Sequence, residues 1–408
     1  MIQEFKSKGK KYLIGLVWIF LLLWPLLGIN ADGTLTFAKA FSVWLYILCA
    51  SIIVIIFYII HKKGLTLKLI KPLSSARNKI YGYTISMPKP LLFSIIGVIA
   101  FLFPFFTERY AQDVAINVLI YICLGLGLNI VVGMAGLLDL GYIAFYGVGA
   151  YAYALLNTFY GISFWISLPI AAVFAGIAGC IVGYPTLRMR GDYLAIVTLG
   201  FGEIIRIIFN NWMQLTNGPN GILGIKPPSV LVPNFTNGFS LEYLYLKKLH
   251  YLYYVALILV IFTIIVVARL SASRIGRAWE AIREDETAAE MMGVNTFSLK
   301  LLAYAAGAIL GGIAGAFFAA RMRFVSPESF TFIESAMVLS MVVLGGMGSI
   351  PGIILGVIAL IALPEVFREF ELYRMLAFGA SMTLMMLFRP KGIIPSKRMG
   401  VRSEEKEE

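Results

Sequence analysis

Twelve apolar runs, most of them about twenty residues long, constrain this chain more than anything else in its sequence. They are Tyr12–Ile29, Phe37–Ile60, Pro90–Phe106, Val114–Val132, Tyr142–Tyr160, Ser163–Tyr184, Asp192–Asn210, Tyr251–Ala268, Leu301–Ala320, Ala336–Gly348, Gly352–Phe367 and Met375–Phe388. A hydrocarbon layer about 30 Å thick is crossed by about 20 helical residues. Lipid cannot satisfy a bare peptide group, so each crossing segment must be a helix. The expected fold is an all-α polytopic membrane protein with about 10–12 hydrophobic helical segments, the shorter runs entering the membrane and turning back. Of 408 residues, 60% are hydrophobic and 14% charged, against about 25% charged in an ordinary soluble domain. A soluble enzyme, a disordered chain and a secreted disulfide scaffold are thereby excluded.

The charge is unevenly spread. There are 34 Lys and Arg against 22 Asp and Glu, a formal net charge of +12. In membrane proteins positive charge gathers on the cytoplasmic side, which replaces nucleic acid as its explanation. With the N-terminus inside, segments 1–11, 61–89, 185–191, 269–300 and 389–408 face the cytoplasm and carry 24 Lys and Arg, while the outer segments carry 9. An N-in, C-in orientation follows. The first apolar run follows Lys6, Lys8, Lys10 and Lys11 like a signal peptide, but its 18 residues exceed the usual signal core, so an uncleaved signal-anchor is expected.

Residues 1–89 read as a transmembrane hairpin followed by a basic cytoplasmic loop from Lys62 to Lys89 that has no acid. That loop is a topology determinant or a grip on anionic lipid. Residues 90–388 form the main body, and 389–408 a disordered cytoplasmic tail. Stretches 129–136 and 341–348 both close an apolar run with glycines and precede another. This fits an internal duplication or a chance likeness between Gly-rich stretches. Cys49, Cys123 and Cys180 lie in apolar runs without a CxxC pair, and His61 and His250 are far apart. Neither a disulfide nor a metal site is expected.

The polar loop 269–300 holds an amphipathic segment. Gly276–Met292 reads as one helix with Trp279, Ile282, Ala289 and Met292 on a common stripe. Gly293 suits a left-handed helix end, and Asn295 or Thr296 can cap the next helix. A short helix held between two spans either lies on the lipid surface or receives a partner. Glu284-Asp285-Glu286 would be repelled by anionic lipid, which favours a protein.

Inside the spans, Gly307, Gly311 and Gly315 form overlapping small-xxx-small spacings, repeated by Gly352 and Gly356. These serve close approach of another chain or packing within one. Glu203 and Arg206 lie three apart on a helical face, as a gate, a substrate contact or a self-neutralising pair. Asp139, in the Gly-rich break Gly133–Gly141, can cap the following helix or face an aqueous cavity. The turn-rich outer loop Asn211–His250 is a docking surface or a connector. There is no GxxxxGK[ST], no HExxH and no Cys/His cluster, so neither ATP hydrolysis nor other catalysis is expected of this chain alone.

Six stretches stand out: Gly136-Leu-Leu-Asp-Leu-Gly-Tyr-Ile-Ala-Phe-Tyr-Gly-Val-Gly-Ala-Tyr151, Pro185–Glu203, Thr216-Asn-Gly-Pro-Asn-Gly-Ile222, Gly276–Val294, Val343-Leu-Gly-Gly-Met-Gly-Ser-Ile-Pro-Gly352 and Arg389-Pro-Lys-Gly-Ile393. Together they resemble branched-chain amino-acid ABC transporter permeases. They cover most of residues 110–395 in order, and the extra N-terminal spans resemble the larger permease subunit. The resemblance implies an ABC importer permease fold in the plasma membrane, with residues 90–388 as its core. It implies a heterodimer with a second, homologous permease subunit, two cytoplasmic ATPase subunits that bind ATP and Mg, an external substrate-binding protein, and no cofactor on this chain. It implies that 276–293 is the element that seats in the ATPase, with Arg277, Trp279, Glu280, Arg283, Glu284, Asp285, Ala288, Ala289 and Gly293 as coupling residues.

Three functions then stand side by side. The first is an importer subunit for Leu, Ile or Val, or for urea, short amides or other amino acids. Polar backbone at helix breaks suits a zwitterion, which nominates Asp139, Gly141, Tyr142, Glu203, Gly345 and Gly346 for the path. The second is an ion-coupled secondary transporter or channel, for which Glu203 is nearly the only coupling group. The third is a lipid-modifying enzyme holding Mg²⁺ on Glu284-Asp285-Glu286.

Overall fold

The computed structural model describes residues 89–187, 189, 192–234, 240–246, 248–366 and 392–394. The first two apolar runs, the basic loop after them, the last run and nearly all of the tail lie outside the described residues. The chain divides into two compact units, Met1–Ala100 and Phe101–Glu408. Of the first, only the leading part of helix α1 (Lys89–Phe106) is described.

In the second unit, α2 (Arg109–Leu128) runs directly into a π-helical segment, Asn129–Met134. A loop leads to α3 (Ile143–Tyr160), α4 (Phe164–Thr186) and α5 (Asp192–Asn211). A connecting segment carries α6 (Met213–Thr216), β1 (Ile222–Leu223), β2 (Ser229–Asn234) and β3 (Ser240–Tyr245). Then follow α7 (Leu249–Ala272), α8 (Arg274–Glu284), α9 (Glu286–Met291), α10 (Thr296–Met322), β4 (Phe324–Val325), α11 (Phe332–Gly345) and α12 (Ile350–Val366).

Among the described residues, six helical stretches are long and apolar enough to cross a membrane: Arg109–Met134, Phe164–Thr186, Tyr193–Asn211, Leu249–Ala272, Thr296–Met322 and Pro327–Gly345. The all-α expectation holds, with one addition. The 211–250 segment carries strands: β2 pairs antiparallel with β3, and β1 pairs with β4. It is fastened to the helices by Tyr153 Oη, which donates to the Lys226 carbonyl at 2.6 Å, and by Trp165 Nε1, which donates to Ser229 O at 2.8 Å.

The core is built on α10, because its glycines let three neighbours approach at backbone distance. A Cβ on Gly312 would overlap Ala175 of α4, and one on Gly315 would overlap the Tyr146 carbonyl of α3. Gly307 meets Val131 of the π segment, while Gly311 meets the Tyr142 ring. The small-residue spacing of 307, 311 and 315 therefore serves packing inside this chain. Near the far end of α10, Arg321 pairs with Asp113 at 2.7 Å and also donates to Asn117, so α2 runs antiparallel to α10.

Candidate functional site

The polar loop 269–300 is held by several side-chain contacts. Ser273 Oγ accepts from the Gly276 N–H at 3.2 Å and starts α8. The single helix expected over Gly276–Met292 is in fact two. Asp285 is extended (φ −154°, ψ 109°), and its Oδ1 accepts from the Ala288 N–H at 3.0 Å. Asp is among the best N-cap residues, so a new helix begins where the sequence pattern reads as one continuous helix. The phase of the stripe is lost at this break. Trp279, Ile282 and Ala289 are buried, but Met292 is 84% exposed, as is Met291 at 82%.

Both helices are tied to the first turns of α10. The Trp279 indole N–H donates to Leu299 O at 2.7 Å, and Lys300 Nζ lies 2.5 Å from Glu286 Oε1. The α9 end has the expected left-handed glycine. Gly293 sits at φ +82°, with Gly293 N–H on the Glu290 carbonyl (2.9 Å) and Val294 N–H on that of Ala289 (3.1 Å). Asn295 then caps α10 through the Ser298 N–H at 3.1 Å. Arg277, Glu280, Glu284, Asp285, Ala288 and Gly293 lie on the exposed side, whereas Trp279 and Ala289 face inward, and the partly exposed Arg283, expected to seat in the ATPase, turns back instead to the first helix break.

One helix break faces this element, and a second lies against the first. The first joins the π segment to α3. Gly136 turns at φ +72°, Leu140 N–H donates to Thr198 Oγ1 (3.1 Å), and Asp139 Oδ1 accepts from the Gly141 N–H (2.8 Å). Asp139 is buried inside its own turn and does not cap α3, whose leading Ile143 N–H goes instead to Ser335 Oγ at 3.1 Å. A Cβ on Gly141 would overlap the Thr198 carbonyl of α5. Tyr142 is fully buried, with its hydroxyl donating to Gly307 O at 3.0 Å. The second break joins α11 to α12 through Gly346 (φ +114°) and Gly348 (φ +86°). Gly345 and Gly352 touch backbone to backbone. Residues 392–394 complete this break, as the N–H groups of Ile393 and Ile394 donate to the carbonyls of Leu344 (2.9 Å) and Gly345 (3.1 Å).

The breaks are joined to each other and to α8. Asn129 Oδ1 accepts from the Gly348 N–H at 2.7 Å. Arg283 Nη1 donates to the Gly133 carbonyl. The similar stretches 129–136 and 341–348 thus meet in space. Glu203 and Arg206 pair at 2.7 Å on α5, each about one-third exposed, at 31% and 33%. Neighbouring Gly202 abuts Gly141, so Glu203 lies one residue from the first break.

Several residues of this site were not singled out from sequence. Asn129 was visible as a lone amide inside an apolar run; Asp285 was named for coupling, but not as the N-cap that divides the helix. Nothing in the sequence pointed to Ser335, nor to the bond between Tyr121 Oη and Glu334 Oε2 at 2.6 Å. Among the described residues, no group of three His, Cys, Asp or Glu side chains could hold a metal ion. In Glu284-Asp285-Glu286, Asp285 is a cap and Glu286 is paired with Lys300.

A family model described as branched-chain amino acid transport system, permease component, matches residues 110–388. The chain is 45% identical over 371 residues to the high-affinity branched-chain amino acid transport system permease protein LivM of Escherichia coli (strain K12), covering 87% of this chain and 86% of that protein. Identity to the LivM protein of Salmonella typhimurium (strain LT2) is 44% over 368 residues, with the same coverage of 87% and 86%. The permease protein LivH of Escherichia coli (strain K12) is more distant, at 24% over 291 residues, 67% of this chain and 91% of that protein. No solved structure matches the chain.

Proposed function

The chain belongs to the permease-component family of branched-chain amino acid transport systems, and on that premise we propose that it forms half of a membrane path by which Leu, Ile and Val enter the cell, driven by ATP hydrolysed on separate subunits. It is a multi-pass protein of the plasma membrane. One observation carries the rest of the reading. A short rod outside the spans, α8 and α9, is locked to span α10 by Trp279 and Lys300 and to a helix break by Arg283. Its opposite face presents Arg277, Glu280, Glu284, Ala288, Met291 and Met292. Two methionines on an acid-flanked surface suit an adaptable protein contact and not an anionic lipid surface.

That face receives the ATPase subunits, which bind ATP and Mg. The excess of Lys and Arg on the same side supports a cytoplasmic location and an N-in, C-in chain. Similarity to both LivM and LivH, named for one kind of system, supports a second homologous permease subunit as partner. The strand-bearing 211–250 segment, fastened at Lys226 and Ser229, offers the outer surface to a substrate-binding protein. ATP binding closes the ATPase pair and displaces α8 and α9. It can favour only the conformation for which ATP has the higher affinity.

The test is co-purification with the neighbouring gene products, followed by reconstitution. Complete complexes are expected to take up labelled leucine only with ATP and binding protein, with urea and acetamide as comparison solutes. Ala288→Arg and Glu284→Arg, on the exposed face, are expected to release the ATPase without lowering the thermal stability of the permease. Uptake by vesicles holding this chain alone, with no nucleotide, would overturn the reading in favour of an ion-coupled carrier.

A further inference from the structure

Gly133 joins two contacts that would otherwise be separate. It lies in the last turn of the π segment, where helix carbonyls lack intrahelical partners and carry partial negative charge. The Arg283 guanidinium donates to its carbonyl, so a side chain of α8 caps the end of the helix that began as α2. On its other side, the space a Cβ would need at Gly133 is filled by the Asn129 carboxamide. Asn129 in turn holds the Gly348 N–H of the second break at 2.7 Å. Gly136 completes the seat: a Cβ there would lie 2.8 Å from Arg283 Cγ and 3.3 Å from Arg283 Cα. The backbone of α8 therefore rests on the far side of the first break as well.

We propose that Arg283, Gly133 and Asn129 act as one mechanical link, by which a displacement of α8 repositions both helix breaks together, with Arg283 and Asn129 as its positioning residues. The inference rests on the ATPase-docking reading above and adds the route beyond the docking face. The segment that carries the link is suited to two arrangements. A π turn differs from an α turn by one residue of hydrogen-bond register, and here Ala135 N–H bonds five residues back, to the Ile130 carbonyl at 3.1 Å. Asn129 is fully buried, and its Nδ2 has no acceptor among the described residues. An unpaired buried donor is a cost that another arrangement can relieve. Pulling Gly133 through its carbonyl acts on the π turn and on Asn129 at once, and Gly348 follows through the amide.

The test uses the whole reconstituted complex and reads solute moved per ATP hydrolysed. Arg283→Ala and Asn129→Ala are each expected to lower that ratio about tenfold, within the usual range of coupling between sites. ATPase co-purification and basal hydrolysis should stay near wild type. Arg283→Lys, which restores a donor, is expected to recover part of the ratio. The double variant should be no worse than either single one, because both break the same link. Wild-type ratios in both single variants, or multiplicative losses in the double variant, would overturn the link. Loss of the ATPase from Arg283→Ala would overturn it too, since Arg283 would then be a docking residue. Should Asn129→Ala fail to accumulate, Arg283→Ala and Arg283→Lys decide the matter. If no ATPase joins the wild-type chain, the functional reading itself fails.

Discussion

The indole N–H of Trp279 donates to the Leu299 carbonyl across 2.7 Å, joining a helix outside the spans to the first turn of span α10. The ring is fully buried. Trp279→Ala is expected to cost about 3–5 kcal/mol through the cavity it leaves. Trp279→Phe keeps most of the packing and costs about 1–2 kcal/mol, chiefly the hydrogen bond. Thermal unfolding of the purified chain would rank the two, and an equal loss would mean that the bond, and not the ring, holds α8.

Lys300 and Glu286 form an unequal pair, with side-chain exposures of 9% and 41%. Glu286→Gln strands a largely buried ammonium, whereas Lys300→Met removes the buried charge and leaves a half-exposed carboxylate. Glu286→Gln should therefore be the more damaging, by about 1 kcal/mol after allowance for solvent screening. Melting temperatures in low and high salt check both the order and its electrostatic origin.

Glycine substitutions should separate packing from mere composition. A Cβ on Gly356 would lie 2.5 Å from the Met341 carbonyl and 2.9 Å from Gly345, so Gly356→Ala must push α11 and α12 apart. Among the described residues, nothing lies within 4 Å of the same atom on Gly200. Gly200→Ala is expected to be neutral or stabilising by up to about 1 kcal/mol, and Gly356→Ala to reduce folded yield in membranes. Equal yields would contradict the close contact of these two helices.

Among the described residues nothing lies within 4 Å of a Cβ on Gly293, so its role is conformational. At φ +82° a side chain strains the backbone. Gly293→Ala should cost about 1 kcal/mol, and Gly293→Asn less, since Asn tolerates the left-handed region. Hydrogen exchange at the Gly293 and Val294 amides is the direct measure, and faster exchange is expected in the alanine variant first.

The Glu203–Arg206 pair tests a choice that the sequence left open. A single neutralisation leaves a lone charge in a span, at a cost of about 1–3 kcal/mol. The swapped pair, Glu203→Arg with Arg206→Glu, should restore membrane-inserted yield if mutual neutralisation is what matters. Normal insertion of the swapped pair together with lost leucine uptake would instead assign these side chains to the path.

What the sequence revealed follows from what its signals measure. Apolar run length and charge bias report on the solvent, so spans such as Thr296–Met322 were legible, and Gly293 announced a left-handed turn because few residues tolerate one. Helical phase was less reliable. It assumed an unbroken helix, and Asp285 interrupted it, which turned Met292 outward. Tyr142 and Asp139 were nominated for a path from their Gly-rich break, but the partners that bury them, Gly307 for Tyr142 and its own turn for Asp139, were not legible there. The bond from Gly348 to Asn129 was illegible for another reason. It spans 219 positions, and no local pattern encodes a pairing that only the packed bundle brings about.

Because Ile393 and Ile394 supply the N–H groups for Leu344 and Gly345, the end of α11 is finished only once residue 394 has left the ribosome. A growing polypeptide that has already formed both α11 and α12 still lacks these two donors, and an unmet buried carbonyl is costly. Maturation of the second break therefore waits for the ribosome to release residue 394. A chain stopped shortly before it would reach the membrane with all its described spans in place but with this junction open.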